Sequence, residues 1–115
     1  MRRILVVDDE VDIAKTLSAF LEMSGYEVVT AGDGVEALQE VVEHRPDLII
    51  TDLMMPRMDG GTLIARLMSS PTTKDIPVIA ISADRNEHEF PFLRKPFSVA
   101  QLVTLIERAL GPDSA

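Results

Sequence analysis

The sequence predicts a three-layer α/β fold, with a parallel sheet between two layers of helices. Three observations predict it. Short, wholly apolar, mostly β-branched runs recur at Ile4-Leu5-Val6-Val7, Leu48-Ile49-Ile50 and Val78-Ile79-Ala80-Ile81. Runs of this kind suit parallel strands buried on both faces. Stretches with helical periodicity lie between them, and each stretch carries its own start or stop signal.

The elements follow in order. Ile4-Leu5-Val6-Val7 is the first strand and ends in Asp8-Asp9. Val11 to Met23 puts Ile13, Leu17, Phe20 and Leu21 on one stripe, and Ser24-Gly25 stops that helix. Glu27-Val28-Val29-Thr30 is a weaker strand, expected nearer an edge. Asp33-Gly34-Val35-Glu36 reads as a capping box that opens a helix through Ala37, Leu38, Val41 and Val42. Pro46 bars its continuation. After Leu48-Ile49-Ile50, residues Gly61 to Met68 give a third helix, stopped around Ser70-Pro71. A fourth strand ends at Ser82, and a fifth begins near Pro91. Ser98-Val99-Ala100-Gln101 is another capping box, with Phe97 and Leu102 at the staple positions and Gly111 after the last turn.

Alternation of strand and helix implies a parallel sheet covered on both faces, and its crossovers are right-handed. The economical arrangement for five strands is the flavodoxin-like order 2-1-3-4-5. Ligands in such a sheet bind beyond the carboxyl ends of the strands, near the switch point between strands 1 and 3. The chain of 115 residues reads as one domain over residues 1–110, followed by a short tail at 111–115. Apolar residues make up 46% of it, enough for a sizeable core. The formal charge of −8 disfavours nucleic acid and anionic membrane as partners. The absence of Cys removes disulfides, thiolate catalysis and Cys-based metal sites, and fits a cytoplasmic location. The longest apolar runs fall far below the roughly 20 residues that span a bilayer.

This topology gathers acids. Asp8 and Asp9 follow strand 1 and Asp52 ends strand 3, so three carboxylates converge at the expected site. Each pair of like charges a few Å apart repels by roughly 1–4 kcal/mol near a protein surface. A hard divalent cation with oxygen ligands is the natural compensation, and Mg²⁺ suits a small carboxylate set that leaves waters on the ion. Ser82 ends strand 4, where its hydroxyl can donate toward the same place. Lys95 ends strand 5, where its ammonium can pair with Asp52 or with an anion built on it. The Lys95-Pro96 bond is a candidate cis peptide that would aim the amine inward.

Four segments, in this order, resemble the receiver domain of two-component response regulators: Ile4-Leu5-Val6-Val7-Asp8-Asp9-Glu10, Asp52-Leu53-Met54-Met55-Pro56-Arg57-Met58-Asp59-Gly60, Ile79-Ala80-Ile81-Ser82-Ala83 and Lys95-Pro96-Phe97. The resemblance implies that Asp52 is the phosphoacceptor and that Asp9 ligates Mg²⁺ directly. Asp8 would act through water, with Asp52 and the Met54 carbonyl sharing the ion. It implies that Lys95 contacts the phosphoryl group, that Ser82 is the switch hydroxyl and that Phe92 is the switch aromatic. The phosphodonor would be a phosphohistidine of a sensor histidine kinase or phosphotransfer protein. The protein would signal by contact with an output protein that the sequence does not name, and would not be a turnover enzyme.

The chain departs from that pattern between Ser82 and Lys95. Only Ala83 to Phe90 connect the fourth and fifth strands, whereas a crossover with its helix takes at least about 10–12 residues. The sequence therefore predicts a loop or a single turn where the family has its fourth helix, and an atypical output face. Asp84-Arg85-Asn86-Glu87-His88-Glu89 has no apolar stripe, and Pro91 suits an edge strand. Other residues read as ordinary: Met54, Met55 and Met58 as packing, His44 and His88 as solvated. Two rival functions are set against the receiver. A haloacid-dehalogenase-like phosphatase could use Asp8 and Glu10 as its Asp-x-Asp pair but leaves Asp52 and Lys95-Pro96 unexplained. The complete set of acids argues against a non-phosphorylated pseudo-receiver binding module, and the short connection keeps that alternative alive. Nothing resembling a second domain follows residue 110, so the expectation is a single-domain regulator or a receiver cut from a longer protein.

Overall fold

The computed structural model describes residues 2–55, 58–82, 92–95 and 97–111, with Phe92 by its backbone. Among the described residues, five strands and four helices follow one another, alternating as far as the fourth strand. They are β1 (Arg3–Val7), α1 (Val11–Met23), β2 (Glu27–Ala31), α2 (Gly34–His44), β3 (Leu48–Asp52), α3 (Gly60–Ser69), β4 (Val78–Ser82), β5 (Phe92–Arg94) and α4 (Val99–Leu110). All strand pairs are parallel, in the order β2-β1-β3-β4-β5. This is the flavodoxin-like α/β arrangement that the alternation predicts.

Side chains alternate across each strand, so the same strands feed two cores. Ile4, Val6, Leu48, Ile50, Ile79, Ile81 and Leu93 face one way and pack with Ala14 and Leu21 of α1 and Leu102 and Ile106 of α4. Leu5, Val7 and Ile49 face the other way and pack with Ala37 and Val41 of α2 and Leu63 and Leu67 of α3. Burial follows sheet position. Central β3 is buried along its whole length, while β2 is half-exposed at its edge, as its weaker apolar pattern predicts.

The helix ends obey the local signals. Asp33 accepts from the Glu36 amide at 2.9 Å, Asp59 from the Thr62 amide at 2.7 Å, and Ser98 and Gln101 complete a reciprocal capping box. At the end of α1, Gly25 takes φ +98°, a left-handed conformation that glycine adopts without a Cβ penalty. Its amide and that of Tyr26 return to the Glu22 and Leu21 carbonyls, both at 3.1 Å, closing a Schellman motif. The third helix starts one residue earlier and ends one later than its apolar stripe predicts, because the Asp59 cap extends its first turn.

Residues 83–91 connect β4 to its parallel neighbour β5. The predicted loop, His88, Pro91 and the Pro96 peptide bond lie outside the described residues.

Candidate functional site

Register places the site. Ile4 to Val7 of β1 pair with Leu48 to Thr51 of β3, so the residues just past both strands come out side by side. Asp52 stands opposite Ile81, and Ser82 opposite Arg94 one residue before Lys95. Backbone bonds fix these ends. The Asp8 amide donates to the Ala31 carbonyl at 3.0 Å, the Leu53 amide to that of Ile81 at 3.1 Å, and the Lys95 amide to that of Ser82 at 2.7 Å. The loop after Asp52 is tied back by the Gly60 amide, which donates to the Leu53 carbonyl at 3.0 Å.

Gly60 permits the closest of these approaches. A Cβ there would lie 2.3 Å from the Asp52 carbonyl oxygen and 2.8 Å from Leu53 Cα. Those are backbone atoms that cannot swing aside, so only glycine lets α3 start this close to the end of β3.

Asp52 is only 5% exposed, yet both carboxylate oxygens are engaged. Oδ1 accepts from the Met54 amide at 3.0 Å, and Oδ2 accepts from the Lys95 ammonium at 3.0 Å. The Thr51 hydroxyl donates to the Asp52 carbonyl at 2.9 Å. Asp8 is 4% exposed and accepts from the Glu10 amide at 2.9 Å. Asp8, Glu10 and Asp52 each present a carboxylate oxygen, all within 4.8 Å of one another.

The electrostatics follow from that crowding. Burial pushes the Asp8 carboxyl above its ordinary value. The Glu10 amide and Lys95 oppose the rise, and the charges of Asp52 and Asp9 add to it. Burial alone would pull the Lys95 ammonium down. Its hydrogen bond to Asp52 and the charges of Asp52, Asp8 and Glu10 outweigh that, and its value is raised. One lysine therefore partly neutralises three converging carboxylates.

The structure brings most of the expected residues together. Asp8, Asp52 and Lys95 meet directly. Ser82 is fully buried at the end of β4, joined to Lys95 through the backbone. Asp9 is exposed, and its carboxylate is not one of the converging three. Phe92 pairs with Ala80, but its side chain lies outside the described residues. Met55 and Met58 pack against the core, whereas Met54 is 73% exposed beside the site and is not a packing residue.

Glu10 is the residue the sequence reading did not assign to the site. The chain bends at Asp9, where the Asp8 carboxylate accepts from the Glu10 amide, and the Asp-x-Glu spacing was the one signal for Glu10 in the sequence. His44 keeps a side chain that is 42% exposed, as expected, and its Nδ1 also lies 2.7 Å from Glu40 Oε2, one turn away on α2, with Glu43 close by. The Arg3 guanidinium donates to the His44 carbonyl and pairs with Glu27.

The chemistry of the first cluster fits a hard cation: its donors are carboxylate oxygens, and burial and mutual repulsion hold one of them above its ordinary value.

The sequence matches the response regulator receiver domain family over residues 4–107. It is 38% identical to the transcriptional regulatory protein PrrA of Mycobacterium tuberculosis over 94% of this chain and 49% of that protein. It is 37% identical to the DNA-binding dual master transcriptional regulator RpaA of Synechocystis over 96% of this chain and 49% of that protein. The chain thus spans about half the length of the curated relatives it matches. Among solved structures, chemotaxis protein CheY4 of Vibrio cholerae superposes with a TM-score of 0.88 at 31% identity, covering 96% of this chain and 99% of that one. Response regulator TrrA of Thermotoga maritima, in complex with Mg(2+)-BeF, gives a TM-score of 0.87 at 31% identity, covering 96% and 100%. Sequence, fold and the arrangement of Asp8, Asp52 and Lys95 agree: the chain belongs to the response regulator receiver domain family.

Proposed function

We propose that this receiver domain takes a phosphoryl group onto Asp52 from a phosphohistidine of a sensor histidine kinase or phosphotransfer protein, and signals by protein contact in the cytoplasm. The observation that carries this reading is the Asp52 carboxylate itself. It is shielded from bulk water, oriented by the Met54 amide, and paired at 3.0 Å with Lys95.

A carboxylate is a usable nucleophile at neutral pH without a general base. One Asp52 oxygen forms the bond to phosphorus as the bond from phosphorus to the donor imidazole nitrogen breaks. The nitrogen keeps the electron pair, and because the donor ring carries a proton on its other nitrogen it leaves as neutral imidazole. Lys95 would follow the charge from the carboxylate onto the phosphoryl oxygens, and the Ser82 hydroxyl would donate to one of them once it arrives. Protein groups here position and neutralise rather than react. Asp9, Asp8, Asp52 and the Met54 carbonyl would hold Mg²⁺. When bound, the ion supplies positive charge to the transferring oxygens. The solved relative in complex with Mg(2+)-BeF supports that choice of ion.

On this reading the domain modifies only itself and is not a turnover enzyme. The short connection at residues 83–91 supports an output face without the family's usual fourth helix, with Phe92 beside it as the switch aromatic. Incubation with Mg²⁺ and acetyl phosphate, followed by intact mass, tests the proposal. One added phosphoryl group is expected, absent with EDTA and absent in Asp52→Asn. No gain in the native chain would instead favour the non-phosphorylated binding module.

A further inference from the structure

Among the described residues, four helices have an N-cap residue, and one of these residues does something else. Asp33, Asp59 and Ser98 each accept a hydrogen bond from their own helix. Glu10, at the head of α1, makes no side-chain capping bond. Its backbone is extended, at φ −88° and ψ 105°, and its carboxylate joins those of Asp8 and Asp52 within 4.8 Å. Those two acids are buried to 4% and 5% exposure, so they cannot turn away from it. Glu10 itself is exposed and has every freedom to point into water. Asp9 lies outside this group of three.

We propose that Glu10 is a further carboxylate of the divalent-cation site, so that the affinity for Mg²⁺ depends on Glu10 as well as on the paired aspartates and Asp52. This rests on the phosphoacceptor reading above, in which the ion sits between those acids. A small, hard cation keeps several waters when it binds carboxylates, and a carboxylate at the rim holds it through those waters and through charge. The contribution of an exposed acid is screened by salt, unlike that of the buried pair. In the metal-free protein the same carboxylate repels the two carboxylates within 4.8 Å of it, against a single attraction to Lys95. Glu10 therefore favours the ion-bound state at the expense of the metal-free one.

This gives opposite signs in two measurements on the full chain. Calorimetric titration with Mg²⁺ at low ionic strength is expected to show Glu10→Gln binding about 3- to 10-fold more weakly than the native chain, a gap that narrows in concentrated potassium chloride. Thermal melts without Mg²⁺ are expected to show Glu10→Gln melting higher than native, with a smaller Mg²⁺-dependent rise. A merely structural N-cap role would lower the metal-free melting point and leave the titration unchanged, and that result would overturn the inference. Equal Mg²⁺ affinities in the two proteins would also overturn it, while the phosphoacceptor reading would stand if Mg²⁺ and acetyl phosphate still modify Asp52. A native chain that neither binds Mg²⁺ nor gains a phosphoryl group would sink both.

Discussion

Asp8 has the least comfortable carboxylate in the molecule's acidic site. It is buried, and its neighbours Asp52 and Asp9 carry the same charge. Its folded-state value lies above the ordinary 3.8, so the metal-free fold binds its proton more tightly than the unfolded chain does. The resulting penalty is absent below pH 3.8 and grows as pH rises through the folded value. Asp8→Asn keeps an oxygen to accept from the Glu10 amide and removes the charge. It is expected to raise metal-free stability at neutral pH by about 1–2 kcal/mol, to lose that advantage in acid, and to weaken Mg²⁺ binding. Urea denaturation across pH, with and without Mg²⁺, checks all three outcomes. Lys95 has the reverse dependence. Its raised value means that its pairing with Asp52 persists through neutral pH and fades only as pH climbs above 10.5 through the folded value. Asp8, Asp52 and Lys95 were legible because polar residues that end apolar strands have one place to go. Glu10 was harder, since an exposed glutamate before a helix has many directions open to it, and only the neighbouring backbone selects one.

Among the elements, local chemistry wrote the helices more plainly than their edges. The Ser98 box holds α4 in register beneath the end of β5, and Ser98→Ala is expected to cost about 1 kcal/mol in thermal denaturation without altering the acidic site. Gly60→Ala should be more disruptive. Its Cβ would meet the Asp52 carbonyl at 2.3 Å, and relieving that overlap is expected to cost about 1–3 kcal/mol. Because the atoms that yield belong to the backbone of Asp52, the proposed phosphorylation by acetyl phosphate should slow as well, which a time course of intact mass would record. Strand order could be read from apolar runs alternating with helices, since few arrangements bury five such strands on both faces. The close approach at Gly60 could not be, because a glycine at a helix start looks the same whether it allows a turn or a contact.

For the whole molecule, the fold and the acidic end of the sheet were readable, and the connection between β4 and β5 less so. Residues 83–91 lack apolar periodicity, so nothing in their pattern points to one packing, and their shortness alone speaks against a full crossover helix. The net charge of −8 makes self-repulsion a general term, so added salt should stabilise the metal-free chain modestly even where no site is involved. Asp8 and Asp52 meet only because β1 and β3 pair across more than forty intervening residues. An ion held by both has nothing to grip while that pairing is still unmade. Stopped-flow chevrons should accordingly show Mg²⁺ leaving the refolding arm almost unmoved and depressing the unfolding arm, so that the cation acts as a brake on escape from the native basin rather than as a guide into it.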